Sequence, residues 1–464
     1  MGRNRRERAS SSKNKDNNTS DMSFEKLMSE GIRLEERGER FQDSGQTSGK
    51  AKKYYEQAGD MYERAHNKDP GNGDCLYNWG RTLYILAHLD DPKQTAEEKV
   101  HLLTRSIEKF KAAIAIDENN TDALYNMAQA LTTKADVIFN LEANDRPIDT
   151  LNEAIEVFEK VIRLQQQELQ QTGQVASSSS SVQPNNQDDS NEDEEKVTPS
   201  TLIDTLTSMS QALTSRAMMA EDLAINEECY IRAIELLEQA LSLNVQSREA
   251  DIQLQWASVL SHHAHSIIPS RETIHQIQRL RETALRKLNF VIETDNDNIE
   301  ALCDRGDLAT EYIDMLLSDP DDQKEKILEL FDTAIMSFRA AVELEGVNAV
   351  IWHSIGVLYL RKAQLQFLPA NVDKRALITS SVDALKRSLD IDPDDLDVYL
   401  HYAVALNYLS DANNVEVDET LRKYVQRGGD QSGFLKWKQE NEDIIEEGSF
   451  NDFRNKLRQV GINV

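Results

Sequence analysis

The chain has 464 residues, of which 39% are hydrophobic and 29% are charged, and its formal net charge is −29. Because phosphate contacts need clustered lysines and arginines, this balance excludes nucleic acid as the main partner and favours basic or neutral protein segments. No run of about 18 apolar residues occurs, which argues against a membrane-spanning helix and a membrane partner.

Residues 1–22 are predicted to be a disordered basic tail, and they carry no apolar stretch of the kind a secretory signal requires. Two basic clusters separated by a short spacer resemble a nuclear-import signal. We therefore expect a cytoplasmic or nuclear location, or both. The first fifteen residues set six cations against Glu7 alone, namely Arg3, Arg5, Arg6, Arg8, Lys13 and Lys15.

A twelve-residue helical pattern then recurs along the chain, as in LYNWGRTLYILA from Leu76, LYNMAQALTTKA from Leu124 and WHSIGVLYLRKA from Trp352. We call each copy helix A. Every copy has a small residue at one fixed place, and these places are 47 to 50 residues apart once the segment near 170–200 is removed. The small residues are Gly31, Gly80, Ala128, Ser210, Ala257, Gly306, Gly356 and Ala403.

A second helix, helix B, follows each of the first seven copies. It carries a small residue, a large apolar residue four positions later, and another small residue three positions after that, all on one helical face. A large side chain between two small ones allows the two helices to approach closely. The sets include Ala58/Tyr62/Ala65, Ser106/Phe110/Ala113, Ala334/Phe338/Ala341 and Ser381/Leu385/Ser388.

This pattern resembles the tetratricopeptide repeat over roughly residues 24–426, and Trp352, Ile355, Gly356 and Tyr359 form its best copy. The resemblance implies an all-α, right-handed helical solenoid of about seven to eight helix pairs with a C-terminal capping helix region. Repeats are predicted over 23–165 and 200–430, and two short capping helices over 431–464. The period is longer than the family's usual value of about 34 residues, which predicts longer helices and a longer turn between helices A and B.

A low-hydrophobicity segment rich in serine and acidic residues interrupts the array over 166–199, and we predict a disordered linker there. Ser190 lies in DDSNEDEE, with acidic residues on both sides. That context is typical of sites for an acidophilic kinase such as casein kinase II. Ser190 is therefore a candidate phosphorylation site.

A polar residue precedes each small helix-A residue by two positions. In the family that this chain resembles, the position faces the concave groove, where amides and hydroxyls can bind the backbone of an extended peptide. The resulting candidate partner-binding residues are Asn78, Asn126, Ser208, Gln255, Asp304, Ser354 and His401.

An acidic residue precedes nearly all of these polar residues by four positions, as with Asp74 and Asp122. These acids fall in the first turn of helix A, where the helix dipole favours a negative charge. They would also leave one edge of the groove negative.

No nucleotide-binding loop, zinc-protease motif, serine-nucleophile elbow or calcium loop is present, so we expect neither enzymatic activity nor a cofactor or metal. Three widely spaced cysteines, Cys75, Cys229 and Cys303, are typical of reduced thiols in an intracellular protein.

The sequence therefore predicts an intracellular scaffold or adaptor that binds peptide or helical segments of partner proteins in the concave groove. One alternative is a nuclear regulator resembling the fungal enhancer-of-translation-termination helical-repeat proteins. Another is a chaperone co-factor or a targeting-signal receptor. A chaperone clamp would need a row of lysines and arginines on helix A, whereas Arg81, Lys134 and Arg361 are scattered. The partner's identity and the oligomeric state stay open.

Overall fold

A computed structural model describes residues 22–43, 48–141, 146–178, 197–409, 415–441, 444 and 447–462. The predicted basic tail, apart from Met22, and the central part of the predicted linker, with Ser190, lie outside the described residues. Across the described ranges the chain forms eighteen α-helices and no strand. No helix in these ranges is long and apolar enough to cross a membrane.

The chain divides into two compact units, with the boundary between Gln255 and Trp256. The helices of the first unit are α1 (Phe24–Asp43), α2 (Ser48–Lys68), α3 (Gly73–His88), α4 (Ala96–Ile116), α5 (Thr121–Asn140), α6 (Pro147–Ser178), α7 (Pro199–Met219) and α8 (Leu223–Ser242). A short 3-10 turn (Gln246–Arg248) precedes α9 (Glu249–Ser266), in which the boundary falls.

The second unit continues with helices α10 (Ile274–Thr294), α11 (Ile299–Leu317), α12 (Lys324–Leu344), α13 (Ala349–Gln364), α14 (Lys374–Ile391), α15 (Leu396–Leu409), α16 (Val415–Gln426), α17 (Gln431–Glu440) and α18 (Glu447–Gln459). Each odd-numbered helix up to α15 is a helix A, and the next helix is its helix B. Within each unit, the helices pack chiefly on their immediate neighbours in the chain.

The start of several A helices is fixed by an asparagine that the sequence pattern did not single out. Asn72 and Asn120 each accept a 2.8 Å hydrogen bond from the backbone N–H three residues on. Asn298 and Asn348 cap α11 and α13 in the same way. Such a cap satisfies a backbone donor that the helix leaves without a partner, and removing it costs about 1 kcal/mol. The acidic row therefore supplements these caps: Asp74 and Asp122 lie in the first turn, next to the cap.

The small and large residues meet as the sequence analysis predicts. An ideal Cβ on Gly80 would lie 2.8 Å from the Phe110 ring, so a side chain there would have to displace the ring. Phe110 is fully buried, and this burial stabilises the folded state by about 1.5–3 kcal/mol. The same close approach joins Gly31 to Tyr62, Gly306 to Phe338 and Gly356 to Leu385. The fold is an all-helical array of the tetratricopeptide-repeat type, with long helices.

The predicted start of the linker, residue 166, is wrong, because α6 continues to Ser178. Glutamine, glutamate and leucine, which make up residues 164–171 of this stretch, are good helix formers even where they bury little surface. The predicted end also shifts, because Pro199 is already the first residue of α7, a position that suits proline. Just before α7, the backbone N–H of Val197 donates a 3.2 Å hydrogen bond to the Glu168 carboxylate of α6.

The C-terminal helices cover the last apolar face of the second unit. Phe434 and Trp437 of α17 and Phe453 and Leu457 of α18 are buried in one cluster with residues of α15 and α16. Gly428 ends α16 with a φ of 101°, in the left-handed region that favours glycine. This arrangement is that of the predicted capping region.

Candidate functional site

The candidate row lies on the A helices, and in the first unit much of it is used in bonds between neighbouring helices. The Asn126 amide donates to the Tyr77 hydroxyl at 3.3 Å and to the Asp122 carbonyl at 2.9 Å. The Gln255 amide donates to the backbone carbonyl of Thr207 at 2.7 Å. A peptide could engage these amides only in competition with, or in addition to, these bonds.

Ser208 is 9% exposed and lies at the centre of a small polar network. Its hydroxyl is 3.2 Å from the Tyr125 hydroxyl and accepts a 3.0 Å hydrogen bond from the Gln129 amide. The network joins α5 to α7. By contrast, the side-chain amide of Asn78, which is half-buried, has no hydrogen-bond partner among the described residues. Of the four candidates in this unit, Asn78 is therefore the most available to a ligand.

In the second unit, Asp304 lies beside a small cavity of about 100 Å³ between α9 and α11. Asp307 and Glu311 of α11 and His262 of α9 also line it. Burial raises the pKa of Asp304 to about 6, and the nearby carboxylates of Glu300 and Asp307 add to the shift. A cationic group at this position would offset both effects.

His401 does not face an open groove, and in this respect the sequence analysis was wrong. The side chain is 4% exposed, because α17 covers it. Its Nε2 lies 2.9 Å from the Asn441 side-chain oxygen, and the Trp437 ring packs edge-on at 5.1 Å. Burial and the neighbouring His353 lower the pKa of His401 to about 4. His401 occupies the same repeat position as the other candidates, but the capping helix α17 fills the space that a ligand would need.

Ser354, in α13, is half-buried and its hydroxyl forms no hydrogen bond within the described ranges. The structure therefore leaves Asn78, Asp304 and Ser354 as the candidates without a competing hydrogen bond. The role of the whole row in partner binding stays a prediction.

A larger site lies elsewhere, between two consecutive B helices. We call it the α2–α4 groove: a cavity of about 550 Å³ bounded by α2, α3 and α4. Trp79, Leu83 and Leu86 of α3 form its apolar floor, together with Leu102 of α4. The walls carry Lys52, Glu56, Gly59, Asp60, Glu63, Gln94, Glu97, Glu98, His101 and Arg105.

The walls of the groove are acidic, and most of this charge is not neutralised. Among the described residues, no ion pair forms at the exposed wall carboxylates, which are Glu56, Asp60, Glu63, Glu97 and Glu98. Lys52 is itself occupied, because its ammonium lies 2.8 Å from the Asp91 carboxylate. With five carboxylates against two cations, Lys52 and Arg105, the cleft carries a net negative charge that concentrates cations near it.

Two details of the groove concern what could enter it. Gly59 faces the cavity, and an ideal Cβ there would meet no atom within 4 Å. The Trp79 ring is nearly buried, and the Lys109 ammonium lies 3.9 Å from its centre. The groove thus has room beside α2, while the Trp79 ring is already occupied by a lysine of the same chain.

Sequence reasoning placed the binding surface on the A helices and missed this groove. One signal was present: Glu56, Asp60 and Glu63 recur at the spacing of one helical face. An acidic face on a helix is ordinarily a solvated surface, so the pattern alone did not separate a groove wall from bulk exterior. No group of three histidine, cysteine or acidic side chains in the described part of the chain is arranged to hold a metal ion.

The fold and this groove define a helical-repeat protein of the tetratricopeptide type with an open, acidic cleft. A family model, that of the plant specific mitochondrial import receptor subunit TOM20, matches residues 50–185. The matched stretch contains every residue that lines the α2–α4 groove. No curated protein sequence matches the chain.

Solved structures that match the chain have low sequence identity to it. The nuclear import adaptor Nro1 of S. pombe is 12% identical over 82% of this chain and 99% of that one, with a TM-score of 0.34. Yeast Tom70 is 13% identical over 93% of this chain and 84% of that one, with a TM-score of 0.25. YrrB, a tetratricopeptide-repeat protein with an unusual peptide-binding site, is 13% identical over 73% of this chain and 96% of that one, with a TM-score of 0.26.

Proposed function

We propose that this chain is a protein-binding scaffold or adaptor, and that the α2–α4 groove holds a basic amphipathic segment of a partner protein. The groove itself is the observation that carries the proposal. Apolar side chains of the partner would lie on the half-buried Leu102, above the nearly buried Trp79 and Leu83. Its lysines and arginines would lie beside Glu56, Asp60 and Glu63. Each exposed charge pair would contribute about 0–1 kcal/mol, so apolar contacts supply most of the affinity and charge supplies selectivity.

Gly59 offers a direct test. A Gly59→Trp substitution places a large side chain into the groove without a clash in the fold, and Gly59→Ala is the matched control that leaves it open. The probe is a labelled peptide of about 18 residues with leucines on one helical face and lysines on the other. We expect fluorescence anisotropy to show binding to the wild-type chain and to Gly59→Ala, and at least tenfold weaker binding to Gly59→Trp.

Two further controls separate a groove from general attraction to an acidic protein. A peptide of the same composition with its leucines scattered should bind weakly to all three proteins. Replacing Glu56, Asp60 and Glu63 with the corresponding amides should weaken binding of the amphipathic probe and reduce its dependence on salt. Equal binding of both peptides, or unchanged binding to Gly59→Trp, would contradict the proposal.

A targeting-signal receptor is the second candidate, favoured by one observation. The matching family model is named for a mitochondrial import receptor subunit, and its match covers the groove. Under this alternative, the bound segment would be an organelle-targeting sequence. The experiment is a comparison of such sequences with equally basic amphipathic peptides that do not target; equal affinities would favour the general adaptor.

The helix-A row of each unit is proposed as a further contact surface, with Asn78 in the first unit and Asp304 and Ser354 in the second. Asp304 would receive a lysine or arginine of the partner, since a cation offsets the burial of its carboxylate. Asp304→Asn should weaken binding of a partner that engages this surface and leave the leucine–lysine probe unaffected. A loss of probe binding in Asp304→Asn would show that the two surfaces are not independent.

A further inference from the structure

The first described residues of the chain pack on the same apolar cluster as two residues of the groove floor. Met22 and Phe24, at the start of α1, pack on the apolar cluster that contains Trp79 and Leu83, and Leu102 packs on the same cluster. Trp79, Leu83 and Leu102 line the groove. The basic residues 1–15 are therefore tethered next to the cavity, joined to it by the six residues 16–21.

This tether is long enough for the span that the segment must bridge. At about 3.3–3.6 Å per residue, residues 16–21 reach at most about 20 Å, which corresponds to some thirteen residues along a helix. The walls of the groove, Glu56 to Glu63 on α2, extend over eight residues of helix. Residues 1–15 can thus reach the acidic walls without displacing α1.

The charge of residues 1–15 is complementary to that of the groove walls. In a chain of net charge −29, the first fifteen residues hold six cations and one acid. The groove holds five carboxylates that form no ion pair within the described ranges. We propose that residues 1–15 occupy the α2–α4 groove of their own chain and compete with an external segment for it. The inference uses the groove of the proposed function but does not require that any external partner exists.

The composition of the segment sets the strength of this contact. Residues 1–15 include just two apolar side chains, those of Met1 and Ala9, so they can pair with the walls but cannot cover the apolar floor. The contact is consequently electrostatic, weak and sensitive to salt. An amphipathic partner gains the floor as well as the walls and can displace it.

The expected size of the competition follows from the tether. A short flexible connection gives an effective concentration of about 1 mM, and a purely electrostatic contact has a dissociation constant on the order of 0.1–0.5 mM. The two values predict that the internal segment weakens external binding by about threefold to tenfold at low salt.

The experiment compares the full-length chain with a full-length variant in which the six lysines and arginines of residues 1–15 are glutamines. At about 50 mM salt the neutralised variant should bind the leucine–lysine probe about threefold to tenfold more tightly, and at about 500 mM salt the difference should vanish. Equal affinity of the two proteins at low salt would overturn the inference.

A second measurement keeps this outcome separate from that of the proposed function. A labelled synthetic peptide of residues 1–20 is titrated into the neutralised variant carrying either Gly59→Ala or Gly59→Trp. Binding to the former and not to the latter is the expected result. If the leucine–lysine probe binds and this peptide does not, the inference is wrong while the proposed function stands; the reverse outcome retains the inference and removes the function.

The remaining possibility is that the segment enters the groove of a second copy of the chain. Sedimentation velocity at increasing protein concentration distinguishes the two arrangements. A constant sedimentation coefficient supports the internal contact. Association that grows with concentration and disappears in the neutralised variant would overturn it in favour of contact between copies.

Discussion

Gly356 of α13 lies so close to Leu385 of α14 that an ideal Cβ on Gly356 would be 2.5 Å from the Leu385 Cγ. The contact is reinforced on the same side, because the Ser381 hydroxyl donates a 2.7 Å hydrogen bond to the Gly356 carbonyl. The equivalent bond in the second repeat runs from Ser106 to Gly80, also at 2.7 Å. The crossing of helices A and B is thus set by two contacts, one of shape and one of hydrogen bonding.

The first prediction concerns this crossing. Gly356→Leu should overpack it and lower the free energy of unfolding by about 1–3 kcal/mol. Gly59→Ala is a fitting control, because its Cβ meets open space and alanine in a helix is about 1 kcal/mol more favourable than glycine. Denaturant unfolding should therefore shift in opposite directions for the two variants. An unchanged midpoint for Gly356→Leu would contradict the crossing.

The second prediction concerns Glu35, a buried carboxyl that accepts hydrogen bonds from Tyr62 at 2.8 Å and Thr82 at 2.6 Å. Burial raises the pKa of Glu35 more than these bonds lower it. With its folded pKa raised, the group contributes stability that is present below its unfolded pKa and lost as the pH rises through the folded pKa.

Glu35→Gln keeps an acceptor oxygen and removes the charge. The stability of this variant relative to that of the wild type should therefore increase from pH 4 to pH 8. Urea unfolding at the two pH values measures the gain. If the wild type is the more stable protein at pH 8 and the difference shrinks at pH 4, the charged carboxylate is favoured by its two donors and the prediction is wrong.

The third prediction concerns the buried histidines of the second unit, where His353 Nε2 lies 3.1 Å from His401 Nδ1. The pKa of His401 is lowered to about 4, mainly by burial, from about 6.5 in an unfolded chain. The unfolded chain therefore binds more protons between these values, and the stability contributed above about pH 6.5 is lost as the pH falls toward 4.

His401→Gln should reduce the loss of stability between pH 7 and pH 4.5, whereas His265→Gln, at an exposed histidine, should not. Thermal unfolding across this range measures both slopes. His353 contributes in the same direction, because burial lowers its pKa as well. A slope unaltered in His401→Gln would mean that other groups dominate the acid sensitivity.

The fourth prediction concerns Ser190, which lies outside the described residues. An acidophilic kinase should phosphorylate it, and mass spectrometry of the wild type and Ser190→Ala tests this directly. Phosphate adds about −1.5 to −2 charges, which should repel the acidic walls of the groove. Ser190→Asp should accordingly bind the leucine–lysine probe more tightly than Ser190→Ala does. Equal affinities of the two variants would make the linker a passive spacer.

The sequence was sufficient to predict the pairing of small and large residues, because each pair lies within one repeat and obeys one helical spacing. Gly80 with Phe110 and Gly356 with Leu385 are examples. It was not sufficient for the α2–α4 groove, whose walls come from B helices of two different repeats. Which exposed acids face each other depends on how the repeats stack, and the helical period alone does not contain that information.

The burial of His401 escaped prediction for a related reason. Its spacing matches that of the other candidates, but α17 follows the last repeat and has no equivalent in the earlier ones. Trp437 of this additional helix therefore packs on His401. Asn441, which also contacts His401, lies just beyond the same helix.

Packing between neighbours in the chain also bears on the order in which the first unit folds. Consecutive helices are joined by short connections, such as the four residues 117–120 between α4 and α5, whereas the twenty residues 179–198 separate α6 from α7. With closure entropy growing as 1.5 RT ln n, the longer connection costs about 1.4 kcal/mol more to close. Pairs α1–α2 through α5–α6 should therefore form quickly from local contacts, and the docking of α7 onto α6 should be the late step.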